Sequence, residues 1–171
     1  MTAIARLICA SAALGFLLAP ASGLAAPKQA SGGGQATVLK SLSVLKKVDL
    51  DFGELVVTGA GTAVIDPVSG SITTTGPVTR VGTTGHPATF TATGSRNSVV
   101  IVRVPNGTTT LTRVGGGGTM TVTNWTQDGT TNRKIPPSSA FDFSVGATLN
   151  IGAAQANGVY TGSFTVTVNY P

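Results

Sequence analysis

The chain has 171 residues, of which 41% are apolar, 10% charged and 5% aromatic, with 23 Gly and a formal net charge of +5. Thr and Gly in excess over charged residues disfavour long surface helices and favour strands joined by tight turns. One Cys and one His exclude an internal disulfide framework and a multi-Cys zinc or iron–sulfur site, and leave little for an acid–base centre.

Residues 1–25 differ in kind from the rest. Arg6 is their one charge, an apolar run extends from Leu7 to Leu18, and Pro20, Ser22 and Gly23 break it before Ala25-Ala26. A basic start, an apolar stretch and a small-residue exit read as a secretory signal peptide cut after Ala25. The run is too short and too rich in Ala for a membrane span, and no span is expected in the mature chain. Cys9 falls inside this leader, so the exported chain has no cysteine. The expected location is the periplasm or the cell surface, where a cysteine-free fold must rely on its core.

Residues 26–35, Ala-Pro-Lys-Gln-Ala-Ser-Gly-Gly-Gly-Gln, have no periodicity and read as a flexible N-terminal arm. The span 36–171 then reads as one domain of short strands. Candidates are residues 37–45, 48–52, 54–58, 62–65, 71–74, 78–81, 88–93, 98–104, 109–114, 119–125, 140–151 and 159–170. Asp66-Pro67-Val68-Ser69-Gly70 is a strong turn signal, with Pro presetting one torsion and Gly supplying positive φ. Asn106-Gly107, the glycine run 115–118 and Asp128-Gly129 mark further reversals.

Two segments alternate most clearly. In one, Phe141, Phe143, Val145, Ala147, Leu149 and Ile151 occupy every odd position between polar or small residues. In the other, Tyr160, Phe164, Val166, Val168 and Tyr170 share the even positions with Gly158 and Gly162, while Thr161, Ser163, Thr165, Thr167 and Asn169 face the other way. Side chains alternate across a strand, so each segment buries one face and wets the other. The consecutive Val99-Val100-Ile101-Val102 suggests a central strand buried on both faces. Many short antiparallel strands with one-sided burial imply an all-β, Ig-like sandwich.

Chemistry is sparse, and no catalytic, cofactor-binding or metal site is assigned. His86 lies in a turn-like Thr84-Gly85-His86-Pro87 without a nucleophile elbow, and reads as a loop residue. Asp49, Asp51 and Glu54 could serve calcium or act as a carboxylate pair, but their ligand density is low and Lys46 and Lys47 balance them. The glycine run 115–118 is followed by no Lys-Ser/Thr and opens no helix, so it is no phosphate cradle. Trp125 ends an alternating strand and reads as core or rim packing. Basic residues stand mostly singly and without interleaved aromatics, so nucleic acid is not an expected partner. The chain reads as non-enzymatic.

The end of the chain carries the most specific pattern. Gly158 is fourteenth from the C-terminus, Tyr170 is penultimate, and a two-residue alternation joins them. This resembles the C-terminal β-zipper of chaperone–usher pilus subunits. In such subunits the sandwich lacks its final strand, which a periplasmic chaperone and later the next subunit supply by β-augmentation. The resemblance implies a groove bordered by Tyr160, Phe164, Val166 and Val168, with Tyr170 as a chaperone contact and Gly158 at a close approach. It further implies a chaperone, an usher, and copies of the chain or related subunits as partners. A wider resemblance runs from Ala36 to Pro171. Ala36-Thr37-Val38-Leu39-Lys40-Ser41-Leu42, Asp49-Leu50-Asp51-Phe52-Gly53, Gly118-Thr119-Met120-Thr121-Val122 and Gly158-Val159-Tyr160-Thr161-Gly162 resemble, in that order, the secreted Gram-negative family called domain of unknown function 4402. That family is itself similar to pilin-like adhesin domains and implies fold and location rather than mechanism.

Two features depart from a pilin. The arm 26–35 lacks alternating bulky residues, so a donor strand would have to draw on Val38, Leu42 and Val44, with Lys40 interrupting their face. The mature chain also lacks the cysteines that staple many pilins. Two expectations therefore stand. One is a pilus-like or surface-assembly subunit completed by strand exchange at its C-terminal edge. The other is a self-contained periplasmic or cell-surface β-sandwich binding module that does not polymerise.

Overall fold

The computed structural model describes residues 28–171; the leader, its cleavage site and Cys9 lie outside the described residues. The chain divides into two units, Met1–Ala36 and Thr37–Pro171. Residues 28–36 form neither helix nor strand. The second unit contains strands β1 (Ser43–Val48), β2 (Glu54–Val57), β3 (Gly61–Ile65), β4 (Ile72–Thr75), β5 (Val78–Val81), β6 (Ala88–Thr93) and β7 (Val99–Arg103). It continues with β8 (Thr109–Arg113), β9 (Thr119–Gln127), β10 (Asn132–Lys134), β11 (Ala140–Ile151), β12 (Tyr160–Thr161) and β13 (Thr167–Asn169). Among the described residues there is no helix, and the strands pair antiparallel throughout.

Strand β11 is the spine of the larger sheet. Its first half pairs with β6, its second half with β3, and its other edge with β9. The odd-numbered face read at 141–151 is realised from Phe143 onward, where Phe143, Val145, Ala147, Leu149 and Ile151 are buried and Phe141 is half-buried. The even face is not wetted throughout, because Gly146 and Thr148 are buried as well. The sheet runs β1-β6-β11-β9-β8-β12, with β3 and β4 attached to the far half of β11. The β3–β4 connection is the Asp66–Gly70 turn. Asp66 Oδ1 accepts the Ser69 and Val68 N–H groups at 2.8 Å each, and these bonds hold its carboxyl below the usual range.

The opposing layer is in two pieces. One is the sheet β10-β7-β13 and the other the hairpin-like pair β2-β5. Each piece covers its own part of the core. Val100, Val102, Ile135 and Val168 pack with Phe90, Phe143 and Val145 of the large sheet. Phe52 and Val78 pack instead with Ile65, Val122, Leu149 and Ile151. Among the described residues, Leu50 and Trp125 alone pack against both clusters. The result is an antiparallel β-sandwich, as its alternating pattern predicts.

Several strands differ from the sequence expectation. The segment 37–45 enters a strand only at Ser43, because Lys40 is held by side chains instead: its N–H donates to Ser95 Oγ at 2.5 Å and its carbonyl accepts the Tyr170 hydroxyl at 2.8 Å. Strand β7 is central to its sheet but buried on one face only, with Val100 and Val102 inside and Val99 46% exposed, since it has a single core to face. The segment 159–170 is broken at residues 162–166. Its first part pairs with β8 and its last part with β7, so the chain crosses between layers. Gly162 permits that crossing: a β-carbon there would lie 2.7 Å from the Thr110 carbonyl oxygen. Strand β10, too short and polar to show a period, was not anticipated.

Candidate functional site

Where the second layer is divided, the fold leaves a groove of about 910 Å³. From the large sheet it is lined by Leu111, Met120, Val122 and Leu149, the same apolar side chains that make or flank the second core cluster. Leu50, Phe52, Leu55 and Val57 line it from β2 and the chain ahead of β2. The C-terminal segment contributes Gly158, Tyr160, Gly162 and Phe164. Strand β2 pairs with β5, and residues 162–164 with no strand. The groove therefore has an apolar floor, carboxylates and amides on its walls, and backbone without strand partners along its sides.

A bulge brings Trp125 into the groove's lining. Between β9 and β11, three steps along β9 (Thr123 to Thr126) oppose two along β11 (Thr148 to Gly146). Asn124 takes up the extra residue with φ 50°. The inward parity consequently changes from Met120 and Val122 to Trp125, which meets Phe164 with ring centroids 4.5 Å apart. Trp125 lines the groove, and its buried Nε1 has no hydrogen-bond partner.

The residues singled out at the C-terminal edge divide into two groups. Gly158, Tyr160 and Phe164 line the groove. Gly158 has φ 148°, and a β-carbon there would lie 2.6 Å from Arg113 Nε, which donates to the Asn157 carbonyl. The Tyr160 hydroxyl donates to the Ala156 carbonyl at 2.6 Å and accepts Gln155 Nε2. Val168 belongs to the first core cluster, and Val166 and Tyr170 pack against it without lining the groove, while Phe164 does both, its ring edge-on to Phe90 at 6.2 Å. Alternation nevertheless persists through the crossing: Phe164, Val166, Val168 and Tyr170 are at least half-buried while their neighbours are exposed.

The Tyr170 hydroxyl is engaged within the chain. It accepts the Ser95 N–H and donates to the Lys40 carbonyl, both at 2.8 Å, which ties the last strand to the β6–β7 connection and to the entry of β1. Tyr170→Phe is expected to cost about 1–3 kcal/mol, because a part-buried N–H loses its acceptor. The shift of the urea midpoint measures it, and an unchanged midpoint would mean that water replaces the hydroxyl without loss.

The possible donor residues are also placed. Val38 is 94% exposed and in no strand, Leu42 packs on the first core cluster, and Val44 pairs with Ala92 inside β1. Leu42 and Val44 are thus engaged in the chain's own fold.

Asp51 and His86, the residues an enzyme reading would need, pair through their backbones: Asp51 N–H to the His86 carbonyl at 3.0 Å, and His86 N–H to the Asp51 carbonyl at 2.8 Å. Asp51 Oδ1 accepts the Gly53 N–H at 2.8 Å, and Asp49 pairs with Lys46 at 2.6 Å. Among the described residues no three His, Cys, Asp or Glu side chains converge as metal ligands, and no helix is long and apolar enough to cross a membrane.

Fold and groove together define an antiparallel β-sandwich whose second layer is open between two edges. The chain belongs to the family described as Domain of unknown function (DUF4402), whose model matches residues 42–170. Comparison with curated proteins and with solved structures gave no match. The groove itself was not legible in the sequence; the only trace of it was the alternation at 158–170, which does not say which edge stays unpaired.

Proposed function

We propose that this chain is a non-enzymatic, exported structural protein, a pilus-like or surface-assembly subunit completed by a strand that enters the groove beside its C-terminal segment. The observation that carries this reading is the apolar groove of about 910 Å³ between the unpaired edge of β2 and the unladdered residues 162–166. Unpaired strand edges offer backbone donors and acceptors that another extended segment satisfies. An incoming strand projects every second side chain to one face, here onto Leu111, Met120, Val122 and Trp125. Each bulky apolar side chain buried in this way contributes about 1.5–3 kcal/mol. The partners of this reading are a periplasmic chaperone, an usher, and neighbouring subunits of the same or a related kind, met after export.

The experiment is export of the full chain in a Gram-negative host, with and without a co-produced chaperone, followed by size exclusion and unboiled gels. The expected result is a chaperone-bound or heat-dissociable oligomeric species. Leu111→Arg, which puts a charge among the groove's apolar side chains, is expected to abolish that species. Leu45→Arg, on the 66% exposed side chain of β1, is expected to leave it intact. A stable monomer that forms no complex under any of these conditions overturns the reading and leaves a self-contained binding module in its place.

A further inference from the structure

We infer that the strand accepted by the groove is basic and comes from another protein: an extended segment with alternate bulky apolar residues and Lys or Arg where it passes the start of β2. This rests on the strand-complementation reading and narrows its partner. The chain carries six carboxylates against eleven Lys and Arg, and three of the six, Asp49, Asp51 and Glu54, line this one groove. The facing segment 155–164 contains no charged residue of its own, and the one cation bonded to it, Arg113, donates to the Asn157 carbonyl at 2.6 Å, away from the start of β2 in the chain. Lys46 is the single basic side chain lining the groove, and it is taken by Asp49 at 2.6 Å. Among the described residues Asp51 and Glu54 have no ion-pair partner, and Arg80 on the neighbouring β5 pairs with neither. A net basic protein thus presents a locally acidic rim beside an apolar trough, which attracts a cationic strand and repels an anionic one. Trp125 lines the same groove, so its ring packs against whatever strand enters.

The chain's own N-terminal segment suits this role poorly. From Lys28 to Leu39 its only apolar residues are Ala30, Ala36, Val38 and Leu39, and just one of the bulky pair can point inward. Beyond them, Lys40 is held at both its N–H and its carbonyl by Ser95 and Tyr170.

Trp125 is the one tryptophan, so its fluorescence reports occupancy of the groove directly. The probes are a short synthetic peptide of alternating Val and Thr ending in a lysine pair, the same peptide ending in a glutamate pair, and a peptide of residues 28–40. Titrated into the full exported chain at low salt, the lysine peptide is expected to bind about three- to tenfold tighter than the glutamate peptide, as two exposed charge pairs allow. The preference should shrink at high salt. Asp51→Asn combined with Glu54→Gln, which keeps shape and the hydrogen bond to Gly53, should erase it while binding of the glutamate peptide is kept. Equal affinity of the two peptides for the wild-type chain overturns the charge assignment and leaves strand complementation standing. Binding of the 28–40 peptide as tight as the lysine peptide overturns the assignment to another protein. If no alternating peptide binds, strand complementation fails and this inference with it.

Discussion

Phe143→Ala is expected to lower the unfolding free energy by about 3–5 kcal/mol, the range for truncating a buried aromatic side chain. Phe143 is 1% exposed and sits in β11 where the large sheet meets β10-β7-β13. Its ring stacks on Phe90 with centroids 5.3 Å apart, lies 6.0 Å from Phe141, and has the Arg133 guanidinium 5.5 Å from its centroid. Arg133 is itself anchored by Asp128 at 3.0 Å, so it cannot simply swing into the vacated space. Truncation removes apolar burial, an aromatic pair and a cation–π contact together. A domain of this size has only about 5–15 kcal/mol to lose, so the variant gives up a large share of its stability. Equilibrium urea unfolding checks it. Phe143→Leu, which keeps most of the volume, should retain more than half of the lost stability, and equal losses for the two would refute the cavity argument.

Gly146→Ala is the second large effect, for the opposite reason. Gly146 is buried in the middle of β11, where the register with β9 shifts. A β-carbon there would lie 2.2 Å from the Ile65 carbonyl oxygen and 3.0 Å from the Pro67 nitrogen. These are backbone atoms at the start of the β3–β4 turn, which is stiffened by Pro67 and by the hydrogen bonds to Asp66. Neither can yield as a side-chain tip would, so the turn must lift from β11 or the register must slip. The expected cost is at least the about 1–3 kcal/mol typical of overpacking. Gly107→Ala, where nothing lies within 4 Å, serves as the control and should stay within about 0.5 kcal/mol of wild type. Thermal midpoints of the two variants decide the matter: similar midpoints would mean that the close approach at Gly146 carries no strain.

The proposed function draws its support from the same division of labour between the two halves of the core. If the second layer were continuous, Leu111 and Met120 would be fully covered and no strand could reach them. They are only partly buried, although they pack against a cluster whose members are 9% exposed or less. An apolar surface next to unpaired backbone is costly to leave open in water. A second chain that covers it therefore gains both burial and hydrogen bonds in one step.

Residue alternation by itself determined a good deal of this protein. Period-two patterning is local, so it assigned β11 and its inward set from Phe143 to Ile151, and the inward set Phe164, Val166, Val168 and Tyr170 even across a break in the strand, but not the cover over Gly146 and Thr148 on the other face of β11. Composition excluded long helices for an equally local reason, the scarcity of helix-favouring surface residues. Which strand lies beside which was decided only by the tertiary structure. Strand β7 pairs with β13 and β10, and β11 with β3, β6 and β9, contacts made between distant stretches that no short window of sequence encodes. The same holds for the bulge that turns Trp125 inward, for the hydroxyl of Tyr170 that binds Lys40 and Ser95, and for the groove. A strand's own sequence says which side chains point inward; whether its edge meets a neighbour depends on the path of the whole chain.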